Sequence, residues 1–347
     1  MLTSDFDYSI NNDLIAQTPT EPRDHSRLLI LDRSTGKLEH RRFYEIGDFL
    51  ESGDLLVLNN SRVIPARLTG KRTETSGAVE ILLLHRLSPG IWKALVKPGR
   101  RLKPGATIEI YGTECTILED TGQGTRIIRI SDENVIKNDG EIPLPPYIKT
   151  PLANQERYQT VYSKTEGSSA APTAGLHFTS ELLNDLNKKG IDTTEVTLHV
   201  GLDSFRPVKS ENPNNHVLHS EYFEIGEDSA VKINQAHTNN RRVISVGTTT
   251  VRVLEQAALH VTANSDKEDS HTNTLLAPVS AWANIFILPG HKFRLVNGLI
   301  TNFHLPRSTL LMLVCAFAGR DTTITAYNHA VNQGYRLYSF GDAMLIL

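Results

Sequence analysis

The chain has 347 residues, 39% hydrophobic and 22% charged, with a formal net charge of −3. This length exceeds what one core usually organises, so two domains are expected, and the composition excludes disorder as the dominant state. No apolar run approaches the roughly 18 residues of a membrane helix, and the only two cysteines, Cys115 and Cys315, lie too far apart in sequence to suggest a disulfide framework or a thiolate zinc pattern.

Residues 1–8 carry Asp5 and Asp7 and lack the basic head and apolar run of a secretory signal, so a cytoplasmic location is expected. Residues 54–59 (DLLVLN) read as a buried strand. Short branched runs follow at 79–84, 92–96, 107–111, 115–118 and 126–130, separated by Ser88-Pro89-Gly90, Lys97-Pro98-Gly99, Lys103-Pro104-Gly105 and Gly122-Gln123-Gly124. Five such runs without a helix-length segment between them predict a small β-barrel. The same stretch is basic: residues 60–130 hold twelve lysines and arginines against six acids, which is +6 here and −9 elsewhere. That segregation lets a protein of near-neutral charge face a polyanion, although an ordinary solvated barrel surface reads the same way.

Beyond the barrel the pattern returns to strands alternating with helices. Residues 179–189 have apolar positions at 182, 183 and 186 and are closed by Gly190. Residues 242–247 (RVISVG) read as a strand feeding a helix from 249 to about 263, with Val251, Leu254, Ala258 and Val261 near a 3.6-residue spacing. Residues 262–274 are polar and read as a mobile surface loop without a catalytic role. Pro306 is expected to open another helix that Gly319 ends. The predicted fold class is α/β: a larger domain made of residues 1–64 and 144–347, with an inserted small β-barrel domain at 65–143, the joints marked by Pro65 and by Pro143-Leu144-Pro145-Pro146.

Several common chemistries leave no trace. There is no G-x-G-x-x-G turn between a strand and a helix and no Walker A sequence. His216 and His219 are three apart, without a third ligand at a convincing spacing, and no metal is expected. What stands out is four segments dense in turn residues, His, Arg, Thr and Asn: 171–178 (APTAGLHF), 198–208 (LHVGLDSFRPV), 247–255 (GTTTVRVLE) and 299–309 (LITNFHLPRST). Three place polar groups where a strand ends or a helix begins, the edge at which open α/β sheets bind ligands. Gly247, Thr248 and Thr249 suit a carboxylate or ribose oxygen at a helix N-terminus, or form a plain cap. His177 reads as a general base, a base-stacking group or a core histidine, and His304 is open in the same way. Arg206 reads as an anion clamp or a structural ion pair.

Taken in order, these segments resemble the S-adenosylmethionine:tRNA ribosyltransferase-isomerase family of queuosine biosynthesis. The matching stretches are LIAQTPTEPRDHSRLL (14–29), GDLLVLNNSRVIPARL (53–68), IPLPPYI (142–148), ERYQTVYS (156–163), AAPTAGLHFT (170–179), LHVGLDSFRPV (198–208), HSEY (219–222), VGTTTVRVLE (246–255) and LITNFHLPRSTLLMLV (299–314), so the resemblance spans nearly the whole chain. Asp203-Ser204 stands where Gly-Thr is usual in that family, His291 where Tyr is common, and Asn297 where Asp is usual.

The resemblance implies a monomeric, cytoplasmic enzyme that moves and isomerises the ribosyl moiety of S-adenosylmethionine onto the 7-aminomethyl-7-deazaguanine (preQ1) base at the wobble position of a tRNA with a GUN anticodon. Epoxyqueuosine-tRNA, adenine and methionine are the implied products; S-adenosylmethionine acts as donor substrate, with no metal. A proton must leave the carbon beside the sulfonium, for which Glu195, Glu221, His177, His199 and His304 are the candidates. The matched stretches nominate Asn60, Arg62, Tyr147, Arg157, Tyr158, Thr173, Gly175, Phe178, Phe205, Arg206, His219, Gly247, Thr248, Thr249, Arg252, Thr301, Asn302 and Phe303 for substrate binding. Of these, Tyr147, Tyr158, Phe178 and Phe205 are candidates to stack on unpaired bases. Arg67, Lys71, Lys97, Arg100, Arg101 and Lys103 are the candidate tRNA phosphate contacts. Two other readings remain at this stage: an S-adenosylmethionine-dependent RNA methyltransferase, which the missing Gly-rich turn disfavours, and a non-catalytic RNA-binding module.

Overall fold

The computed structural model describes residues 1–122, 124–201, 207–218, 220–264 and 276–347. The chain opens with β1 (Arg27–Leu31), β2 (Leu38–Arg42), β3 (Leu55–Asn59) and β4 (Ser61–Val63), then enters a closed barrel of β5 (Arg67–Arg72), β6 (Ala78–Ser88), β7 (Ile91–Lys97), β8 (Thr107–Ile110), β9 (Thr113–Gly122) and β10 (Thr125–Ile130). A short helix α1 (Asn134–Asp139) leads out to β11 (Thr165–Ser168), α2 (Ser180–Lys188), β12 (Asp192–Leu198), β13 (Glu221–Ile225), α3 (Glu227–Thr238), β14 (Val243–Val246) and α4 (Thr248–Asn264). The chain ends with β15 (Val279–Ala283), β16 (Gly298–Asn302), α5 (Thr309–Ala318), α6 (Arg320–Asn332) and β17 (Ala343–Ile346).

Among the described residues, nine strands form one mixed sheet in the order β15-β13-β12-β3-β14-β16-β17-β1-β2. The interior strand β3 is buried at every position because both faces are covered: Leu55 and Val57 enter one core, Leu56 and Leu58 the other. β12, β3, β14 and β16 run parallel to one another, so their carboxyl ends share one edge. No helix of the described residues is long and apolar enough to cross a membrane.

The barrel closes around its own core of Leu68, Ile81, Leu83, Ile108, Ile117 and Ile128. It has six strands where five were expected; the extra one, β5 (RLTGKR), carries only one apolar residue and escapes a search for branched runs. Gly70 in that strand is necessary, since a Cβ there would meet the Glu109 carbonyl at 2.5 Å. Thr179 caps α2 by accepting from the Leu182 amide, and Gly190 at φ +81° turns the chain out of it, as predicted. The last helical region differs: Pro306 lies before the cap, Ser308 accepts from the Leu311 amide to begin α5, and Gly319 passes the chain directly into the unanticipated α6. α4 runs on through Asn264, three residues into the stretch read as a loop; 265–275 lie outside the described residues.

Candidate functional site

At the shared carboxyl edge, the chain folds so that polar termini converge. Asn59, the last residue of β3, binds three elements: its Oδ1 accepts from the Leu198 amide at 3.0 Å and the Ser61 amide at 3.1 Å, while its Nδ2 donates to the Leu198 carbonyl at 3.0 Å and the Thr249 hydroxyl at 3.5 Å. Gly247, at φ +93°, donates to the Ile300 carbonyl at 2.8 Å and turns β14 into α4, whose first residues Thr248 and Thr249 line a narrow cavity. Thr173, Thr301, Asn302, Phe303, His304, Tyr147 and Ser339 complete most of its polar and aromatic wall. The free space is about 40 Å³, enough for a few water molecules.

Asn302 shows how this wall is set. Its Nδ2 donates to the Tyr338 carbonyl at 3.2 Å and contacts His177 Nε2 at 3.1 Å. A carbonyl only accepts, so the amide nitrogen must face that way, and both its hydrogens are then used. His177 Nε2 therefore accepts, its proton sits on Nδ1, and Nδ1 donates to Ser26 Oγ at 2.7 Å. Asn302 Oδ1 is left buried without a hydrogen-bond partner in a residue of the cavity wall. Burial, with Arg336, Arg23 and Arg157 nearby, pushes the His177 imidazole down to about 3, and the Phe43 ring stacks on it at 5.0 Å. His304 Nε2 contacts the Thr301 hydroxyl at 2.8 Å, and burial pushes this imidazole to about 3 as well.

A second, wider cleft of about 760 Å³ lies between the barrel and the sheet. It is lined by Arg62, His85, Arg86, Trp92, Glu133, His199, Tyr222 and Trp282 among others. His199 follows β12 and lies flat over Gly167, where a Cβ would come within 2.8 Å of the ring. Burial, with His85 nearby, pushes its imidazole down to about 4, and its buried Nδ1 has no partner.

The predicted residues thus divide. Gly247, Thr248, Thr249, Thr173, Tyr147, Thr301, Asn302, Phe303 and His304 share the narrow cavity, while Arg62 and His199 face the cleft. His177 stands behind Asn302 with both ring nitrogens engaged. Glu195 lines neither space: it accepts from Lys164 at 2.8 Å and Asn60 at 3.1 Å. Glu221 forms a buried ion pair with Arg252 and accepts from the Gly201 amide at 2.8 Å. Arg157 pairs with Glu21 and donates to the Thr20 carbonyl. Tyr158 and Phe178 are fully buried, so neither offers a face to RNA. Gly175 lies beneath Tyr162, whose hydroxyl a Cβ would meet at 2.0 Å. Phe205, Arg206 and His219, with Asp203-Ser204, lie outside the described residues.

Lys71, Lys97, Arg100, Arg101 and Lys103 are exposed, at the barrel end where β6 begins and β7 finishes; Arg67, the first residue of β5, is half-buried and pairs with Glu80, the register partner of Lys97. His291 binds Glu255, and Asn297 accepts from the Val243 amide at 2.8 Å, so both departures from the family pattern have structural partners. Sequence reasoning missed Asn59, Ser26 and the ring cluster of the cleft. The chain's two tryptophans, Trp92 and Trp282, were the available signal, and both line that cleft.

A doubly covered α/β sheet with a polar cavity at its carboxyl edge, joined to a basic barrel, defines a ligand-binding protein with two working surfaces. The sequence profile of a family described as queuosine biosynthesis protein matches residues 3–346. A protein of Dehalococcoides mccartyi named S-adenosylmethionine:tRNA ribosyltransferase-isomerase is 51% identical over the full length of both chains, and one of the same name from Clostridioides difficile is 49% identical, also over both full lengths. The crystal structure of an S-adenosylmethionine tRNA ribosyltransferase from Thermotoga maritima is 40% identical, covers 99% of this chain and 100% of that one, and superposes with a TM-score of 0.56. The chain belongs to the queuosine biosynthesis protein family.

Proposed function

We propose that this enzyme transfers and isomerises the ribosyl moiety of S-adenosylmethionine onto preQ1 at the wobble position of a GUN-anticodon tRNA, giving epoxyqueuosine-tRNA, adenine and methionine. It acts as a cytoplasmic monomer and without a metal. The observation that carries the reading is full-length identity near 50% to proteins named S-adenosylmethionine:tRNA ribosyltransferase-isomerase, supported by a cavity whose wall offers matching groups.

In this reading the donor is seated at the narrow cavity, whose walls must part to admit it. The first amides of α4 and the hydroxyls of Thr248 and Thr249 address the donor's carboxylate, since a helix N-terminus favours an anion. The unpartnered Oδ1 of Asn302 accepts from an N–H donor such as the adenine amine. No carboxylate is among the described lining residues, and His304 is their one imidazole, so His304 is assigned the proton from the carbon beside the sulfonium. His304→Gln should lower kcat by about 10²-fold or more, in line with the usual worth of acid–base catalysis, with donor affinity kept; unchanged kcat would remove the assignment.

Product analysis tests the function itself. With S-adenosylmethionine and precursor tRNA, adenine and methionine should appear in step with RNA modification. S-adenosylhomocysteine would instead indicate methylation, and absence of turnover would leave a binding module.

A further inference from the structure

We propose that the cleft beside Trp282 seats an unstacked nucleobase of the RNA, held by ring stacking rather than by charge. This rests on the reading above that the substrate is a tRNA. Trp282 sits on β15, the edge strand of the sheet, with 47% of its surface exposed. Its ring meets His85 of the barrel edge-on at 4.8 Å and Tyr222 of β13 at 5.9 Å, and Tyr222 stacks on His199 at 5.9 Å. Rings from both parts of the molecule therefore gather in one open space, with a large indole left half in water. Nucleobases are recognised in this way when they are splayed out of a single strand.

The charge of the cleft selects the base over the backbone. Among the described residues its three cations are each answered by a carboxylate: Arg62 by Glu156, Arg86 by Glu133 and Lys137 by Glu166. The Glu133 carboxylate is further occupied by the Trp92 indole N–H at 2.7 Å. A wall whose described residues carry no surplus positive charge is poorly suited to phosphate and well suited to an uncharged planar ring. The imidazole of His199, pinned over Gly167 and with Nδ1 unpartnered, supplies a polar group on the cleft floor.

The cleft also adjoins the donor cavity. Gly167 and His199 line the one, while Ala171 and Val200 line the other, four residues and one residue further along the chain. The Ser168 hydroxyl accepts from the Val200 amide at 2.8 Å and donates to the Ala170 carbonyl at 2.7 Å, tying both segments into a common wall. A base held by Trp282 is thereby delivered beside the place assigned to the donor.

Because Trp92 and Trp282 are the only tryptophans, fluorescence isolates the event. In Trp92→Phe, Trp282 is the sole reporter, and an anticodon stem-loop should quench it; S-adenosylmethionine alone should not. Trp282→Ala should weaken stem-loop binding by about tenfold, within the range of one base–aromatic stack, while Trp282→Phe retains most of it and donor affinity stays unchanged in both. Stem-loop binding without quenching and without loss in Trp282→Ala would overturn the seat. So would an equal loss of RNA and donor affinity, which marks a structural role. Neither result touches the function itself, which fails only if the unsubstituted enzyme does not release adenine with precursor tRNA.

Discussion

Ser26, His177 and Asn302 form a chain in which each hydrogen bond fixes the next, ending in an acceptor oxygen. His177 was legible as an important residue but not in its role, because sequence does not show that Ser26, distant along the chain, occupies its Nδ1. The same burial makes an acid-stability prediction. The His177 value falls from about 6.5 in an unfolded chain to about 3 in the fold, so the unfolded state takes up the proton first. Stability is then intact above about pH 6.5 and is lost as pH falls towards 3. His304 acts in the same sense. Urea midpoints measured across that window should decline for the parent and decline less for His177→Gln; identical slopes would show that the imidazole is not held neutral.

At the scale of elements, close approach explains what pattern alone does not. Gly175 reads as a turn residue, yet its function is to let Tyr162, a buried ring, lie close against the turn at 173–177. Gly175→Ala should destabilise by about 1–3 kcal/mol, the usual cost of overpacking, seen as a lower urea midpoint; a midpoint equal to that of the parent would show that the turn yields freely. Strands with near-continuous apolar runs, such as β3 and β14, were legible because burial on both faces favours apolar residues at most positions, with Asn59 and Ser245 the buried polar exceptions. β5 was not, since a barrel strand with one apolar residue looks like a loop. α6 was hidden by Gly319, which reads as an end but serves as both the stop of one helix and the start of the next.

For the whole molecule, charge and site separate. The exposed cations Lys71, Lys97, Arg100, Arg101 and Lys103 enter no ion pair among the described residues, whereas those of the cleft are paired. Along β7, five residues and about 17 Å at the usual strand rise part Trp92 from Lys97. In the proposed mode of binding, that gap lets the barrel grip the stem while a loop base reaches the sheet. Arg100→Ala/Arg101→Ala should weaken tRNA binding and flatten its salt dependence by about one to two units, with donor affinity unchanged. Equal loss of both affinities would make those arginines structural. The architecture was readable from alternation and turn chemistry, but the gathering of rings from β6, β7, β13 and β15 was not, because no single segment holds more than two of them.

Where the chain passes into and out of the barrel, Arg67 and Glu141 exchange backbone hydrogen bonds, N to O at 3.1 Å and 2.9 Å. Both ends of the inserted module thus meet at one laddered pair, already spaced for a tight hairpin. A gene fragment covering 67–141 should therefore yield a soluble, cooperatively melting miniature protein, and a short Gly-Asn splice across the gap should leave the remainder able to collapse alone. A fragment that stays unstructured by circular dichroism would mean that the module borrows its stability from its host.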